Sequence, residues 1–118
     1  MAVDGFWIVQ FEGIQGGGGG VAVLTKGQVF GGDSAYTYRG TYQVDQATLK
    51  ALVTVKNFLP GIPNVLGVVG DFELNLTGTV EEAIIKGKAA LVGQPGAGMV
   101  VRLTKSCLLY TSPSPRDS

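Results

Sequence analysis

The sequence predicts an all-β fold, a small up-and-down antiparallel barrel of about eight strands with a lipocalin-like architecture. Several segments alternate apolar and polar residues with a period of two, and residues typical of turns separate them. Glycine occupies 19 of the 118 positions, which argues against long helices. A single sheet of this many strands tends to curl, and closure removes its exposed edges. A two-sheet β-sandwich is the alternative.

The first part of the chain contains three strand-like segments. Residues 6–11 are rich in aromatic and β-branched side chains and predict the first strand. Residues 13–20, which end in five glycines, are expected to form a glycine-rich hairpin loop. Residues 21–25 predict the second strand, and a Lys-Gly turn leads into a short third strand at residues 28–30.

The fourth strand, residues 36–44, has the clearest alternation in the chain. One face carries four large side chains and a glycine, namely Tyr36, Tyr38, Gly40, Tyr42 and Val44. The other face is polar, which is typical of a half-buried antiparallel strand. We therefore expect the three tyrosines of this segment to point into the barrel.

Four more strand-like segments complete the predicted barrel. They cover residues 48–56, 71–78, 83–92 and 98–105. Residues 57–67 contain two prolines and are expected to form a crossing loop. Gln94-Pro95-Gly96 is expected to turn the chain before the last strand.

We predict one β-barrel domain over residues 1–106. Residues 107–118 show no alternation, contain two closely spaced prolines and hold the only cysteine. This string resembles translated sequencing-adapter sequence, so we treat it as a non-native tail and leave it out of fold reasoning. A natural disordered tail is the alternative.

The composition disfavours most enzymatic chemistry. The chain has no histidine and no cysteine before residue 107, so the common nucleophile–base pairs and zinc sites lack their residues. The glycine run matches a dinucleotide-binding pattern, but a strand-like segment follows it where that motif needs a helix. We expect no catalytic residue, no cofactor and no metal site.

The charge and hydropathy of the chain limit the classes of partner that it is expected to bind. The formal net charge is zero, so the basic surface of a direct nucleic-acid binder or of a peripheral membrane protein is missing. No apolar run approaches the length of a membrane span. We expect a cytoplasmic protein that binds neither nucleic acid nor membrane.

The segment from residue 31 to residue 42 contains the candidate site residues. They are Gly31, Gly32, Asp33, Ser34, Tyr36, Tyr38 and Tyr42. Asp33-Ser34 either caps a turn or presents a polar group at the barrel mouth, and we favour capping. The tyrosines either fill the core or line a ligand cavity, and we favour core filling.

The same segment carries a family resemblance, together with residues 4–11, 63–67 and 71–74. Over residues 4–105 the chain resembles the GrlR-like family of type III secretion negative regulators. The resemblance implies a lipocalin-like eight-stranded barrel in a cytoplasmic bacterial protein that forms homodimers. It also implies action by protein–protein contact on a transcriptional activator, without direct reading of DNA.

One departure from the family pattern concerns the partner. The namesake binds its activator through an acidic run in the turn after the strand matching residues 36–44, whereas this chain has Val44-Asp45-Gln46-Ala47 there. The identity of the partner therefore does not carry over.

Two functions remain from different classes. A non-enzymatic regulatory protein would need an exposed apolar patch, for which Leu52, Ile84 and Val92 are the candidates. The alternative, a barrel that binds a small apolar ligand, would need an interior cavity of roughly 300 Å³ or more.

Overall fold

Eight antiparallel strands close into a barrel in the computed structural model, which describes residues 3–13, 16–59 and 70–106. The strands are β1 (Gly5–Gly13), β2 (Gly16–Thr25), β3 (Gln28–Gly32), β4 (Tyr36–Asp45), β5 (Thr48–Asn57), β6 (Phe72–Glu81), β7 (Ile84–Leu91) and β8 (Gln94–Lys105). Each strand pairs with the next along the chain, and β8 pairs with β1. The predicted up-and-down barrel is confirmed, and the sandwich alternative is wrong.

Alternation places one face of each strand inside the barrel. In β5, Leu49, Ala51 and Val55 are buried, whereas Lys50 and Lys56 are exposed. The inward faces predicted for β4 to β8 agree with the structure. The period-two pattern was informative here because one face of each strand contacts the core and the other contacts water.

The predicted glycine loop at residues 13–20 is wrong in its larger part. Gly16–Gly20 belong to β2 and pair with β1, where Phe11 faces Gly18 and Val9 faces Gly20. Glycine has no side chain and shows no alternation, yet its backbone groups still pair across strands. A Cβ atom on Gly18 would lie 2.7 Å from the Phe11 ring, so the absent side chain makes room for that ring.

The predicted turn at residues 94–96 is also wrong. The chain turns at Val92 and Gly93, where Gly93 has a φ of 86°, and β8 starts at Gln94. Pro95 lies in this first part of β8, close to a register shift at Ala90/Leu91. Proline is tolerated at strand starts and bulges because a missing N–H costs little there. Most of the predicted crossing loop, and residues 107–118, lie outside the described residues.

The two ends of the barrel are filled differently. We call the end where β1 starts the closed end, because Trp7, Leu49 and Ile85 are its largest fully buried side chains. The indole N–H of Trp7 donates to the carbonyl oxygen of Val3 at 2.9 Å, which ties the N-terminal segment across this end. We call the opposite end, where β4 starts, the cavity end.

Candidate functional site

Asp33 forms the corner between β3 and β4 at the cavity end. Its Oδ1 atom accepts the backbone N–H groups of Ala35 and Tyr36, each at 2.9 Å. Its own N–H donates to the carbonyl oxygen of Tyr36 at 2.9 Å. Ser34 between them is exposed. The carboxylate therefore caps a tight turn, as in the interpretation favoured from the sequence.

The second oxygen of Asp33 holds Tyr38. The Tyr38 hydroxyl donates a hydrogen bond to Asp33 Oδ2. Burial raises the pKa of Tyr38, and the hydrogen bond and charge of Asp33 raise that pKa further. Tyr38 consequently keeps its proton at all physiological pH values and acts as a donor to the carboxylate.

Neighbouring glycines leave room for the Asp33–Tyr38 pair. A Cβ atom on Gly20 would lie 2.9 Å from the Tyr38 hydroxyl oxygen. Tyr38 faces Gly31 across the strands, and a Cβ there would lie 2.1 Å from the Val21 carbonyl oxygen. No side chain fits at that distance, so Gly31 is required for the close approach of β2 and β3. Gly31 and Gly32 also extend β3 beyond the end predicted at Phe30.

The other two tyrosines lie in different places. Tyr36 is buried at the cavity end and packs on Phe72, with ring centroids 6.0 Å apart and planes at 60°. Tyr42 lies toward the closed end, where its hydroxyl donates to Asp4 Oδ1 at 2.9 Å. Burial raises the pKa of Tyr42, and the bond to Asp4 adds to this effect. The role of Asp4 was missed because 38 positions separate it from Tyr42 in the sequence.

The seven candidate residues that the sequence suggested thus lie in three different places in the structure. Five lie together at the cavity end, namely Gly31, Gly32, Asp33, Tyr36 and Tyr38. Ser34 lies on the surface there, and Tyr42 belongs to the closed end.

An interior cavity of about 110 Å³ lies between Asp33 and the middle of the barrel. Its walls are mostly aliphatic and aromatic side chains, among them Val9, Val55, Leu74 and Met99. This volume is well below the roughly 300 Å³ at which typical ligand pockets start. Side chains therefore fill most of the barrel, and the space that remains is small and apolar.

The outer face of β1, β2 and β3 carries an apolar patch. Ile8 pairs with Val21, and Val23 pairs with Phe30. These four side chains, which we call the β1–β3 patch, are 46%, 40%, 38% and 38% exposed in that order. The Arg39 guanidinium lies 5.6 Å from the centroid of the Phe30 ring and borders the patch.

The outward residues expected from the sequence do not form such a patch. Leu52 and Val92 are exposed, but Leu52 lies on β5 and Val92 in the turn after β7. Ile84, at the start of β7, is half-buried rather than exposed. The actual patch depends on which strands are neighbours and in what register.

Two acidic turns meet at the closed end. The N–H of Val80 donates to the carbonyl oxygen of Ala47 at 2.7 Å, which places the β4–β5 turn beside the end of β6. Asp45 from the first hairpin and Glu81 and Glu82 from the second are all exposed there. Acidic residues from two segments therefore share one edge.

The described residues contain no group of three or more histidine, cysteine or carboxylate side chains placed to hold a metal ion. In the same part of the chain, no helix is long and apolar enough to cross a membrane.

Comparison with known proteins gives one family. The family model described as T3SS negative regulator, GrlR, matches residues 2–111, where T3SS denotes the type III secretion system. A search of curated proteins finds no match to the chain.

Proposed function

The chain belongs to the GrlR family of type III secretion negative regulators, and from this premise we propose that it represses secretion genes by binding another protein. The partner in this proposal is a transcriptional activator, and the contact takes place in the bacterial cytoplasm. The protein itself contacts no DNA and catalyses no reaction, in keeping with its zero net charge and its lack of histidine.

The observation that carries this proposal is the β1–β3 patch. Ile8, Val21, Val23 and Phe30 are adjacent through the strand register, and all four are exposed. Contiguous exposed apolar surface is typical of protein interaction sites, and arginine is enriched at such sites. Arg39 beside Phe30 fits this composition.

The acidic edge of the closed end supports the proposal in a second way. Asp45, Glu81 and Glu82 would attract a partner with a basic surface and speed its approach, with little effect on the stability of the bound complex. Salt would weaken this contribution, because exposed charges are screened.

We also propose that the protein is a homodimer, as the family resemblance implies. In this proposal the β1–β3 patch contacts either a second copy of the chain or the activator. Light scattering on a patch variant distinguishes these uses, since a change from dimer to monomer would assign the patch to the second copy.

A repression assay tests the proposed function. The variant Val23→Lys/Phe30→Lys places two charges in the patch, and Asn75→Lys/Gln94→Lys places two on exposed positions of β6 and β8, away from the patch and the acidic edge, as the matched control. In cells carrying a secretion-promoter reporter, we expect the patch variant to repress at least about tenfold less well, because residues at the centre of an interface dominate binding. The control should repress like the unmodified protein.

The two variants must be present in equal amounts and give matching circular dichroism spectra, so that a difference in repression does not reflect misfolding. A folded patch variant that represses as well as the unmodified protein would contradict the proposal.

The interior gives less support to the alternative function. A carrier of ordinary small molecules needs several hundred cubic ångströms, and the cavity holds about 110 Å³.

A further inference from the structure

We propose that the outer face of β5 to β8 binds an extended acidic segment of a partner protein, one that carries both carboxylates and an apolar side chain. Four exposed cations, which we call the basic face, lie there, namely Lys50, Lys86, Lys88 and Arg102. In a closed ring of eight strands, β6 and β7 lie opposite β2 and β3. The basic face is therefore on the other side of the barrel from the β1–β3 patch and adds a second site to it.

The strand register brings the four cations close together. Lys86 lies directly opposite Arg102, and Thr77 lies between Lys50 and Lys88. Because neighbouring strands are about 4.8 Å apart and residues of one face repeat about every 7 Å along a strand, the four cations lie within an area of about 14 Å by 7 Å. The zero net charge of the chain is compatible with this cluster because the carboxylates lie at other positions.

The cations have no acidic partner on the strands beside them. Within the described strands, the other residues directly opposite the four cations are uncharged, namely Gln10, Gln43, Thr77, Thr79 and Val100. Like charges directly opposite each other destabilise a sheet, as Lys86 and Arg102 must do here. Carboxylates supplied by another molecule would relieve this repulsion, and the threonine hydroxyls can donate further hydrogen bonds to them.

Val100 adds an apolar contact to the basic face. It lies directly opposite Lys88 and is 58% exposed, the largest exposed fraction among the large hydrophobic side chains that the structure describes. A small inorganic anion would leave this side chain in water. A protein segment that contains both acidic and apolar residues would cover Val100 and pair with the cations, so it fits the face better.

Carboxylates limit the length of the segment that the basic face can bind. Glu81 and Glu82 lie beyond it in the turn at the closed end, and Glu12 and Glu73 lie toward the cavity end, all four exposed. A nucleic acid is negative along its whole length and would meet these carboxylates, whereas a short acidic segment lies between them. An extended peptide spans the width of about 14 Å with about four or five residues.

A second copy of the chain is a less suitable occupant. A two-fold contact presents the same surface from both copies, so a contact centred on the basic face would place cations against cations.

The test is a ¹H–¹⁵N NMR titration of the full chain with the peptide Glu-Ser-Glu-Ser-Leu-Ser-Glu, whose alternate side chains point to one side when it is extended. At about 20 mM salt, the amide signals of Lys88 and Arg102 should shift in a saturable way, and those of Val23 and Phe30 should stay unchanged. The same peptide with glutamine at each glutamate position should bind at least about tenfold more weakly, because exposed ion pairs are lost. Raising the salt to about 200 mM should also weaken binding, by at least about threefold.

A pair of matched variants locates the site. Lys86→Gln/Arg102→Gln removes two cations from the basic face, and Lys26→Gln/Lys56→Gln removes two exposed cations elsewhere with the same change in net charge. The first should weaken peptide binding at least about fivefold and the second by less than about twofold. Because the first variant also removes a pair of opposed like charges, its thermal unfolding midpoint should be no lower than that of the unmodified protein.

Four outcomes would overturn the proposal. The peptide may produce no saturable shifts at low salt, or the glutamine peptide may bind equally well. Tighter binding of single-stranded DNA with the same number of negative charges would assign the basic face to nucleic acid. A change from dimer to monomer in light scattering of Lys86→Gln/Arg102→Gln would assign it to a second copy. The first three outcomes need only the unmodified protein, so they decide the question even if a variant misfolds.

Discussion

The closed end of the barrel is filled by Trp7, Leu49 and Ile85, whereas the cavity end keeps about 110 Å³ of space behind its aromatic rings. Both ends contain a tyrosine whose hydroxyl donates to an aspartate. At the closed end the aspartate is Asp4, which is exposed, and at the cavity end it is Asp33, which also caps the turn into β4.

The difference comes from what each strand contributes to the interior. Toward the closed end, β2 and β3 direct Leu24 and Val29 inward, and both are buried. Toward the cavity end, the same strands direct Gly20 and Gly31 inward. The two halves of the barrel therefore differ in packing density, because the inward side chains of these strands differ in volume.

The largest expected effect is truncation at the closed end. Trp7→Ala removes a fully buried side chain and its bond to Val3, and should lower the free energy of unfolding by about 3–5 kcal/mol. Met99→Ala at the cavity end should cost about 2 kcal/mol, because this half-buried side chain already borders open space. Urea unfolding of both variants measures the difference, and equal losses would contradict the contrast between the ends.

Next come the two tyrosine–aspartate pairs. Asp33→Ala removes the acceptor of three hydrogen bonds and leaves the Tyr38 hydroxyl buried without it, so we expect a loss of about 2–3 kcal/mol. Asp4→Ala removes the acceptor of Tyr42 at a more exposed position and should cost about 1 kcal/mol. Calorimetry of thermal unfolding measures the loss of stability in each variant. A larger loss in Asp4→Ala than in Asp33→Ala would contradict the roles assigned to the two aspartates.

A smaller difference in stability is expected between two substitutions that add side-chain volume to the interior. Ala51 is buried but does not line the cavity, and Ala51→Leu should overpack the interior and cost about 1–3 kcal/mol. The leucine side chain of Ala89→Leu has space to enter the cavity, and this variant should keep the free energy of unfolding within about 0.5 kcal/mol of the original. If both substitutions destabilise alike in guanidinium titrations, the cavity does not accept side-chain volume.

The smallest effect is on the response to alkali. The folded state raises the pKa values of Tyr38 and Tyr42, while tyrosines of the unfolded chain ionise near pH 10. Their contribution to stability is therefore complete below pH 10 and is lost as the pH rises above it. For Tyr38, the free energy of unfolding should fall by about 1 kcal/mol between pH 9 and pH 10.5.

Tyr38→Phe should flatten this alkaline decrease more than Tyr42→Phe, because the pKa shift of Tyr38 is the larger. Urea unfolding at a series of pH values provides the comparison. An identical pH dependence in the Tyr38→Phe variant and the unmodified protein would count against the buried pair.

Much of the barrel could be predicted from local patterns. The alternation from Tyr36 to Val44 and from Leu49 to Val55 gave the correct strands and inward faces, because burial of one face selects that pattern. The turn-capping interpretation of Asp33 also needed only neighbouring residues. The turn at Val92 and Gly93 was missed because the nearby proline is the stronger local signal for a turn.

Features that depend on pairing between distant segments could not be predicted. Gly16–Gly20 form a strand only because β1 lies beside them, and five glycines carry no pattern of their own. The bond between Tyr42 and Asp4 and the β1–β3 patch likewise require the strand register. The cavity depends on the summed volumes of residues from all eight strands, which no single segment encodes.

A crystal soaked under pressurised xenon tests the contrast between the two ends most directly, since xenon enters apolar cavities without a hydrogen bond. We predict one xenon site inside the barrel, bordered by Val55, Leu74 and Met99, and no site among Trp7, Leu49 and Ile85. Xenon at the closed end, or a barrel interior that takes up none, would contradict the account.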